Sequence, residues 1–160
     1  MRAFHSVKYI FIFCLLLFTT SGIYALDGAF FGIGAEVIGN SIDGQAAGGN
    51  LSVGIDVNKL FSFGLKNSVS FNFDKLIVLE NSLFFRFFPI KNQGLFLQPE
   101  LGASILFEND KFHPVFSGGL CVGWRFIFGN NFYLYPAVRG GYPYLWGVGL
   151  TAGMRFGEKP

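Results

Sequence analysis

The sequence is poor in charged residues, histidine and cysteine, and each shortage excludes a class of protein. Charged residues make up 14% of the 160 residues, against roughly 25% in soluble domains. After position 25, His113 is the only histidine, which excludes a metal site built from several histidine ligands. Cys121 is the only cysteine in the same part of the chain, which excludes an internal disulfide bond. The net charge of +2 gives no indication of a nucleic-acid partner.

Long apolar runs are also missing after position 25. A membrane-spanning helix needs about 18 to 20 uncharged apolar residues, and no such run occurs there. Yet 51% of the residues are hydrophobic, and the mean hydropathy of +0.45 is typical of a membrane protein. The 22 glycines disfavour a helical protein, because glycine is costly inside helices. A membrane protein without membrane helices has one remaining architecture, the closed β-barrel, in which every backbone polar group pairs with a neighbouring strand.

The first 25 residues have the three parts of a secretory signal peptide. Arg2 and Lys8 provide the positive start, residues 9–18 are apolar, and residues 19–25 are small or polar enough for cleavage. We expect residues 1–25 to be the signal peptide, cleaved after Ala25, and residues 26–160 to form one exported domain in the bacterial outer membrane. The apolar stretch is too short for a retained membrane anchor.

After the leader, apolar residues alternate with polar or small ones. A β-strand directs successive side chains to opposite faces, and transmembrane barrels show this period over segments of about ten residues. The pattern predicts an all-β fold, an eight-stranded antiparallel up-and-down transmembrane β-barrel after the signal peptide. The eight predicted strands cover residues 29–37, 51–57, 61–73, 76–88, 95–107, 115–126, 132–142 and 145–156.

Charge placement indicates which face of each strand lies inside. Nine charged residues fall within the predicted strands, all on the face opposite the apolar, phenylalanine-rich stripe: Glu36, Asp56, Lys66, Glu80, Arg86, Glu100, Arg125, Arg139 and Arg155. A soluble, lipocalin-like barrel would instead bury the apolar stripe, but the polar face is too weakly charged for a well-solvated surface. We therefore expect lipid against the apolar face and a lumen plugged by ion pairs, since buried charges need partners.

A short pattern recurs near the ends of three predicted strands. An inward arginine lies between outward apolar residues in Phe85-Arg86-Phe87, Trp124-Arg125-Phe126 and Met154-Arg155-Phe156. Aromatic residues are favoured at membrane interfaces, so we expect interface positions for Phe87, Trp124, Phe126, Trp146 and Phe156. The turns that follow these patterns are then periplasmic, and the loops at 40–50, 74–75, 108–114 and 143–144 face outward.

Two prolines and two asparagines do not fit the simple pattern. Pro99 and Pro136 fall inside strands, where each removes a backbone hydrogen bond, and we expect β-bulges there. Asn67 and Asn81 fall on the lipid face. A turn about Asp74 places them directly opposite each other, close enough for a side-chain hydrogen bond, and the same register places Lys66 diagonal to Glu80.

The residues offer little support for catalysis. His113 and Ser117 are the one base and nucleophile worth considering, but their spacing along a strand is wrong for direct contact. Outer-membrane lipid A deacylase barrels use a His-x-Ser pair, from which His113-Pro114-Val115 departs. We expect no enzyme activity, no cofactor and no metal ion.

The chain resembles the small outer-membrane β-barrel families of the OmpA, OmpX and OmpW kind, and the related outer membrane protein beta-barrel domain. The resemblance covers nearly all of residues 26–160. It depends on the leader, the alternating segments, the Leu-Gln-Pro-Glu-Leu-Gly stretch at 97–102 and the Met154-x-Phe156 ending. Such families end in an aromatic strand that the barrel-assembly machinery recognises, whereas this chain continues past Phe156 with residues 157–160.

The resemblance implies a broad set of roles: membrane stabilisation, surface or host contact, or passage of small apolar molecules. We expect a non-enzymatic structural or surface-interaction barrel. The alternatives are a narrow channel for small solutes or hydrophobic molecules and, more remotely, a lipid-modifying enzyme. The expected partners are outer-membrane lipid and, during insertion, the barrel-assembly machinery. No nucleic-acid partner is expected, and the sequence does not identify a surface ligand.

Overall fold

The computed structural model describes residues 28–39, 44–72, 77–90, 94–108, 111–129 and 131–157, and these form one antiparallel sheet. The predicted signal peptide and its cleavage site lie outside the described residues. None of the described residues belong to a helix that is long and apolar enough to cross a bilayer. The strands are β1 (Gly28–Gly39), β2 (Gln45–Asp56), β3 (Phe61–Phe71), β4 (Ile77–Phe87), β5 (Leu95–Glu108), β6 (Lys111–Trp124), β7 (Phe126–Phe128), β8 (Phe132–Tyr142) and β9 (Trp146–Phe156).

The sheet closes on itself into a barrel. Each strand from β1 to β5 pairs with the strand that follows it, β6 pairs with β8, β8 pairs with β9, and β9 returns to pair with β1. Strands β6 and β7 both pair with β8 in the same register and are separated only by Arg125, so together they form one interrupted strand of the wall. The predicted eight-stranded antiparallel barrel is thereby confirmed.

The strands are tilted against the barrel axis. Paired residues can be followed from strand to strand around the wall, starting from Gly28 in β1. The path returns to β1 at Ile38 and not at Gly28. Such a stagger accompanies strand tilt in every closed barrel. With eight strands the interior has room for side chains only, so the lumen forms the core of the molecule.

Two strands begin earlier than predicted. Strand β2 starts at Gln45 and β6 at Lys111, so the predicted loops at 40–50 and 108–114 are too long. Residues 46–49 are alanine and glycine, which have low β-propensity and therefore read as a loop. Pairing with β1 on one side and β3 on the other holds them in the sheet.

The alternation of burial along the strands confirms the predicted faces. Phe63 and Phe85 are 45% and 43% exposed on the outside, whereas Arg86 and Glu100 are 0% and 5% exposed on the inside. Not every phenylalanine faces outward. Four that the sequence analysis did not place are buried in the lumen: Phe30, Phe84, Phe88 and Phe96.

Pro99 and Pro136 interrupt the wall without adding a residue to it. The pairing of β4 with β5 has the same register before and after Pro99. The pairing of β8 with the interrupted strand likewise keeps one register across Pro136, although the rungs beside that proline are missing. The predicted β-bulges are therefore wrong. Proline has no backbone N–H to donate. The wall accommodates this loss because some of the backbone pairs next to each proline are not formed.

The predicted register of the third and fourth strands is confirmed. Asn67 lies opposite Asn81, and Lys66 lies opposite Ser82, which makes Lys66 diagonal to Glu80. Among the described residues, the side-chain hydrogen bond that this register allows between the two asparagines is not formed.

We expect Gly153→Ala to destabilise the barrel at its closing seam. A Cβ atom at Gly153 would collide with the backbone oxygen of Phe31 and the ring of Tyr133, and overpacking of this kind costs about 1–3 kcal/mol. The measurement is the urea midpoint in lipid vesicles, together with the fraction of unboiled protein that migrates as the folded form on a gel. Gly49→Ala is the matched control, because its Cβ would have its nearest neighbour at 3.5 Å. Equal midpoints for the two variants would contradict the prediction.

Candidate functional site: the charged lumen

The structure places all nine charged residues of the predicted strands on the inner face of the wall. Seven are buried and two, Arg139 and Arg155, are partly buried. They are not spread evenly along the lumen. They form one cluster toward the end where β1 finishes at Gly39 and β5 at Glu108, and a second cluster toward the end where β2 finishes at Asp56 and β4 at Phe87. A single arginine lies between them.

The first group, which we call the loop-end cluster, contains Glu36, Lys66, Glu80, Glu100 and Arg139. Lys66 Nζ lies 2.8 Å from Glu36 Oε2 and 3.9 Å from Glu100 Oε2. Arg139 donates to both carboxylate oxygens of Glu80, at 2.9 and 3.2 Å, and lies 3.9 Å from Glu100 Oε2. The two cations thus share Glu100, which joins the pairs into one network. Planar two-point arginine–carboxylate contacts are among the strongest ion pairs in proteins.

The second group, the turn-end cluster, is centred on Asp56. Arg155 donates to Asp56 Oδ2 from Nε at 2.9 Å and approaches it from Nη2 at 2.7 Å. Arg125 Nη1 lies 3.4 Å from the same oxygen, and Ser62 Oγ donates to the other one. One carboxylate from β2 therefore holds two arginines, Arg125 from the break between β6 and β7 and Arg155 from β9, which lie on the two sides of β8.

Arg86 lies between the clusters and makes no ion pair with the described residues. Its Nε donates to Gln98 Oε1 at 2.6 Å, and Gln98 Nε2 donates to Glu100 Oε1 at 2.6 Å. Its guanidinium carbon lies 4.6 Å from the ring centre of Phe96 and 4.7 Å from that of Tyr135. A cation over aromatic faces is attracted by their negative charge. Aromatic rings, with a relayed contact to Glu100, therefore take the place of the expected carboxylate partner.

The rings around Arg86 form a layer across the lumen. Tyr133 and Tyr135 stack with centres 5.8 Å apart, and the Phe96 ring meets Tyr135 edge-on at 5.5 Å. The layer consists of Phe30, Phe84, Phe88, Phe96, Tyr133, Tyr135 and the thiol of Cys121. The sequence analysis did not place the phenylalanines of this layer in the lumen. Each of them lies an even number of positions from an inward polar residue of the same predicted strand, and this spacing could have identified them.

Cavities lie on both sides of this aromatic layer. One of about 610 Å³ opens at the turn end, and its lining includes Asp56, Arg125 and Arg155. Another, of about 30 Å³, lies within the loop-end cluster and has room for one or two water molecules. Phe30, Phe84 and Phe96 line neither cavity. The layer therefore separates the two spaces.

The outward aromatic residues lie near both ends of the wall. Trp124, Phe126 and Phe156 are 38–50% exposed at the turn end, and Phe87 is partly buried there. Trp146 begins β9 at the other end and is 40% exposed. Stacked neighbours extend the turn-end group, since the Phe61 and Phe87 rings are centred 5.2 Å apart.

The structure assembles no catalytic group from the residues considered for chemistry. His113 and Ser117 both lie in β6, where His113 is exposed and Ser117 is fully buried. Four residues along a strand span about 13 Å, which is too far for proton transfer. Within the part of the chain that the structure describes, no three metal-binding side chains are grouped.

Sequence comparisons identify no relative, whereas solved structures share the fold. No family model and no curated protein matches the chain. Neisserial surface protein A (NspA) is 15% identical, with a TM-score of 0.60 over 81% of this chain and 96% of that one. The N-terminal β-barrel domain of Pseudomonas aeruginosa OprF is 14% identical, with a TM-score of 0.55 over 82% and 98%. Ail, the attachment invasion locus protein of Yersinia pestis, solved with the heparin analogue sucrose octasulfate, is 14% identical, with a TM-score of 0.52 over 81% and 97%. The chain therefore has the fold of small outer-membrane barrels.

We expect Glu80 and Arg139 to be strongly coupled in stability. Removing one partner of a buried ion pair leaves an uncompensated charge and costs about 3–5 kcal/mol. Glu80→Gln and Arg139→Met should each lower the free energy of unfolding in vesicles, and the double variant should lose less than the sum of the two. A double-mutant cycle measures the difference, expected at about 1–3 kcal/mol. Strictly additive losses would show that the contact contributes no coupling energy.

Proposed function

We propose that this chain is a non-enzymatic barrel of the bacterial outer membrane, with a structural or surface-interaction role and a lumen closed by its own side chains. The fold shared with NspA, OprF and Ail supports the outer-membrane setting. Two of these proteins are named for surface or attachment roles, which supports a surface role here. We propose outer-membrane lipid and the barrel-assembly machinery as partners, the latter through the aromatic last strand that ends at Phe156.

The apolar outer face supports lipid contact. The nine charged residues of the predicted strands point inward, so the described middle of the wall exposes mainly apolar side chains. Ile33, Leu83, Leu101 and Leu150 are 47–60% exposed at central positions of four different strands. Soluble monomers rarely expose a continuous apolar surface of more than a few hundred Å², whereas a membrane barrel requires one.

The aromatic layer is the single observation that carries the closed lumen. Arg86 is 0% exposed and Phe96 is 0% exposed, so neither touches an open passage. A solute entering the large turn-end cavity would meet the rings of the layer. It would then meet the loop-end cluster, whose ion pairs would have to separate. Both steps are costly in a poorly hydrated interior.

We expect the purified protein to show no steady conductance in planar bilayers, because the aromatic layer and the loop-end cluster together block the lumen. Replacing two rings of the layer, Phe96→Ala with Tyr135→Ala, and opening the loop-end cluster with Glu80→Ala should together create measurable conductance if the variant still folds by the gel criterion. Reproducible conductance steps from the unmodified protein would contradict the closed lumen and favour a narrow channel.

We expect Leu150→Arg to destabilise the inserted barrel by about 2–4 kcal/mol, the cost of a cation on the lipid face near mid-bilayer. Leu150 is 49% exposed and lies near the middle of β9. Denaturant titration in vesicles measures the free energy of unfolding, with Leu150→Ala as the control for lost side-chain contacts. If arginine were as well tolerated as alanine, the outer face would not lie in hydrocarbon.

A further inference from the structure

The lipid-facing surface of β3 and β4 carries one polar rung. Asn67 and Asn81 are paired across the two strands, and both are exposed on the outer face. The flanking strands contribute Leu51, paired with Asn67, and Ala103, paired with Asn81. The two carboxamides therefore form an isolated polar patch in an apolar surface.

The patch lies in the middle of β3 and β4, away from both ends of the wall. Further apolar rungs follow on each side along the same two strands. Toward the loop end these are Val69–Leu79 and Phe71–Ile77, and toward the turn end Leu65–Leu83, Phe63–Phe85 and Phe61–Phe87. Each rung advances about 6–7 Å along a strand. Lipid headgroups and water are thus kept from the carboxamides by at least two apolar rungs.

Neither carboxamide makes a side-chain hydrogen bond with another of the described residues. Each carboxamide has two donor positions and two acceptor positions, and hydrocarbon offers a partner for none of them. Polar groups facing the membrane interior are costly and for this reason usually mark a functional contact. A bond between the two side chains would still leave most of these positions empty.

We propose that this face of β3 and β4 is an interface through which two copies of the chain associate in the membrane. A carboxamide is donor and acceptor at once and so complements itself. A two-fold axis through the Asn67–Asn81 rung brings Asn67 of each copy against Asn81 of the other, the symmetric arrangement of most protein dimers. The rung is uncharged and its neighbours are apolar, which favours a second identical face over a charged partner. This proposal depends on the outer face lying in lipid.

Cross-linking tests the geometry without altering the asparagines. In a Cys121→Ala background, Leu83→Cys places a thiol one rung from the patch, and Leu150→Cys places one on β9, on the opposite side of the barrel. The two positions are 47% and 49% exposed. In vesicles under mild oxidation, we expect Leu83→Cys to give at least five times more disulfide-linked dimer than Leu150→Cys. Equal yields, or linkage of Leu83→Cys to a different protein in native membranes, would overturn the proposal.

A second variant tests the role of the carboxamides. Adding Asn67→Leu and Asn81→Leu to the Leu83→Cys protein should reduce the dimer yield to that of Leu150→Cys. Folded gel mobility in vesicles should be retained, because leucine suits a lipid-facing position. An unchanged dimer yield would overturn the proposal, and if the double variant does not fold, Asn81→Leu alone serves. Failure of the unmodified protein to insert into vesicles would instead contradict the membrane location, which separates the two hypotheses.

Discussion

Closure of the sheet is the constraint on which the rest of this structure depends. In hydrocarbon no solvent satisfies backbone amides, so each strand must be hydrogen-bonded on both sides. Pairing of β1 with β9, and of β8 with both β6 and β7, meets this requirement around the full circle. Closure also separates two environments, because alternate side chains must then face either lipid or a narrow lumen.

The narrow lumen explains how the charged residues are arranged. There is little room for water, so a charge on the inner face needs a partner from across the barrel. The chain meets this need in two ways. Carboxylates hold Lys66, Arg139, Arg125 and Arg155, whereas aromatic rings and Gln98 hold Arg86. The second arrangement also fills the lumen with bulky rings between the two charged clusters.

The same separation of faces makes Asn67 and Asn81 informative. Inside the lumen an asparagine needs no special account, since Asn50 contacts Glu36 and Thr151 there. On the lipid face the same side chain lies in surroundings that cannot satisfy it. The described outer surface therefore differs from a uniform lipid-facing belt at the Asn67–Asn81 rung, on one side of the barrel.

Alternation along each strand is local information. From it the sequence by itself determined which charged residues face inward and how β3 pairs with β4. The inward positions of Glu36, Lys66 and Arg86 followed from that period, because the two faces of a strand are fixed by backbone geometry. The early start of β2 and the unbulged wall at Pro99 did not follow, since pairing with neighbouring strands overrides weak local propensity. Only the tertiary structure decided which charges meet. Ion pairs such as Arg139–Glu80 join strands distant in sequence, and their partners depend on the stagger of the closed barrel.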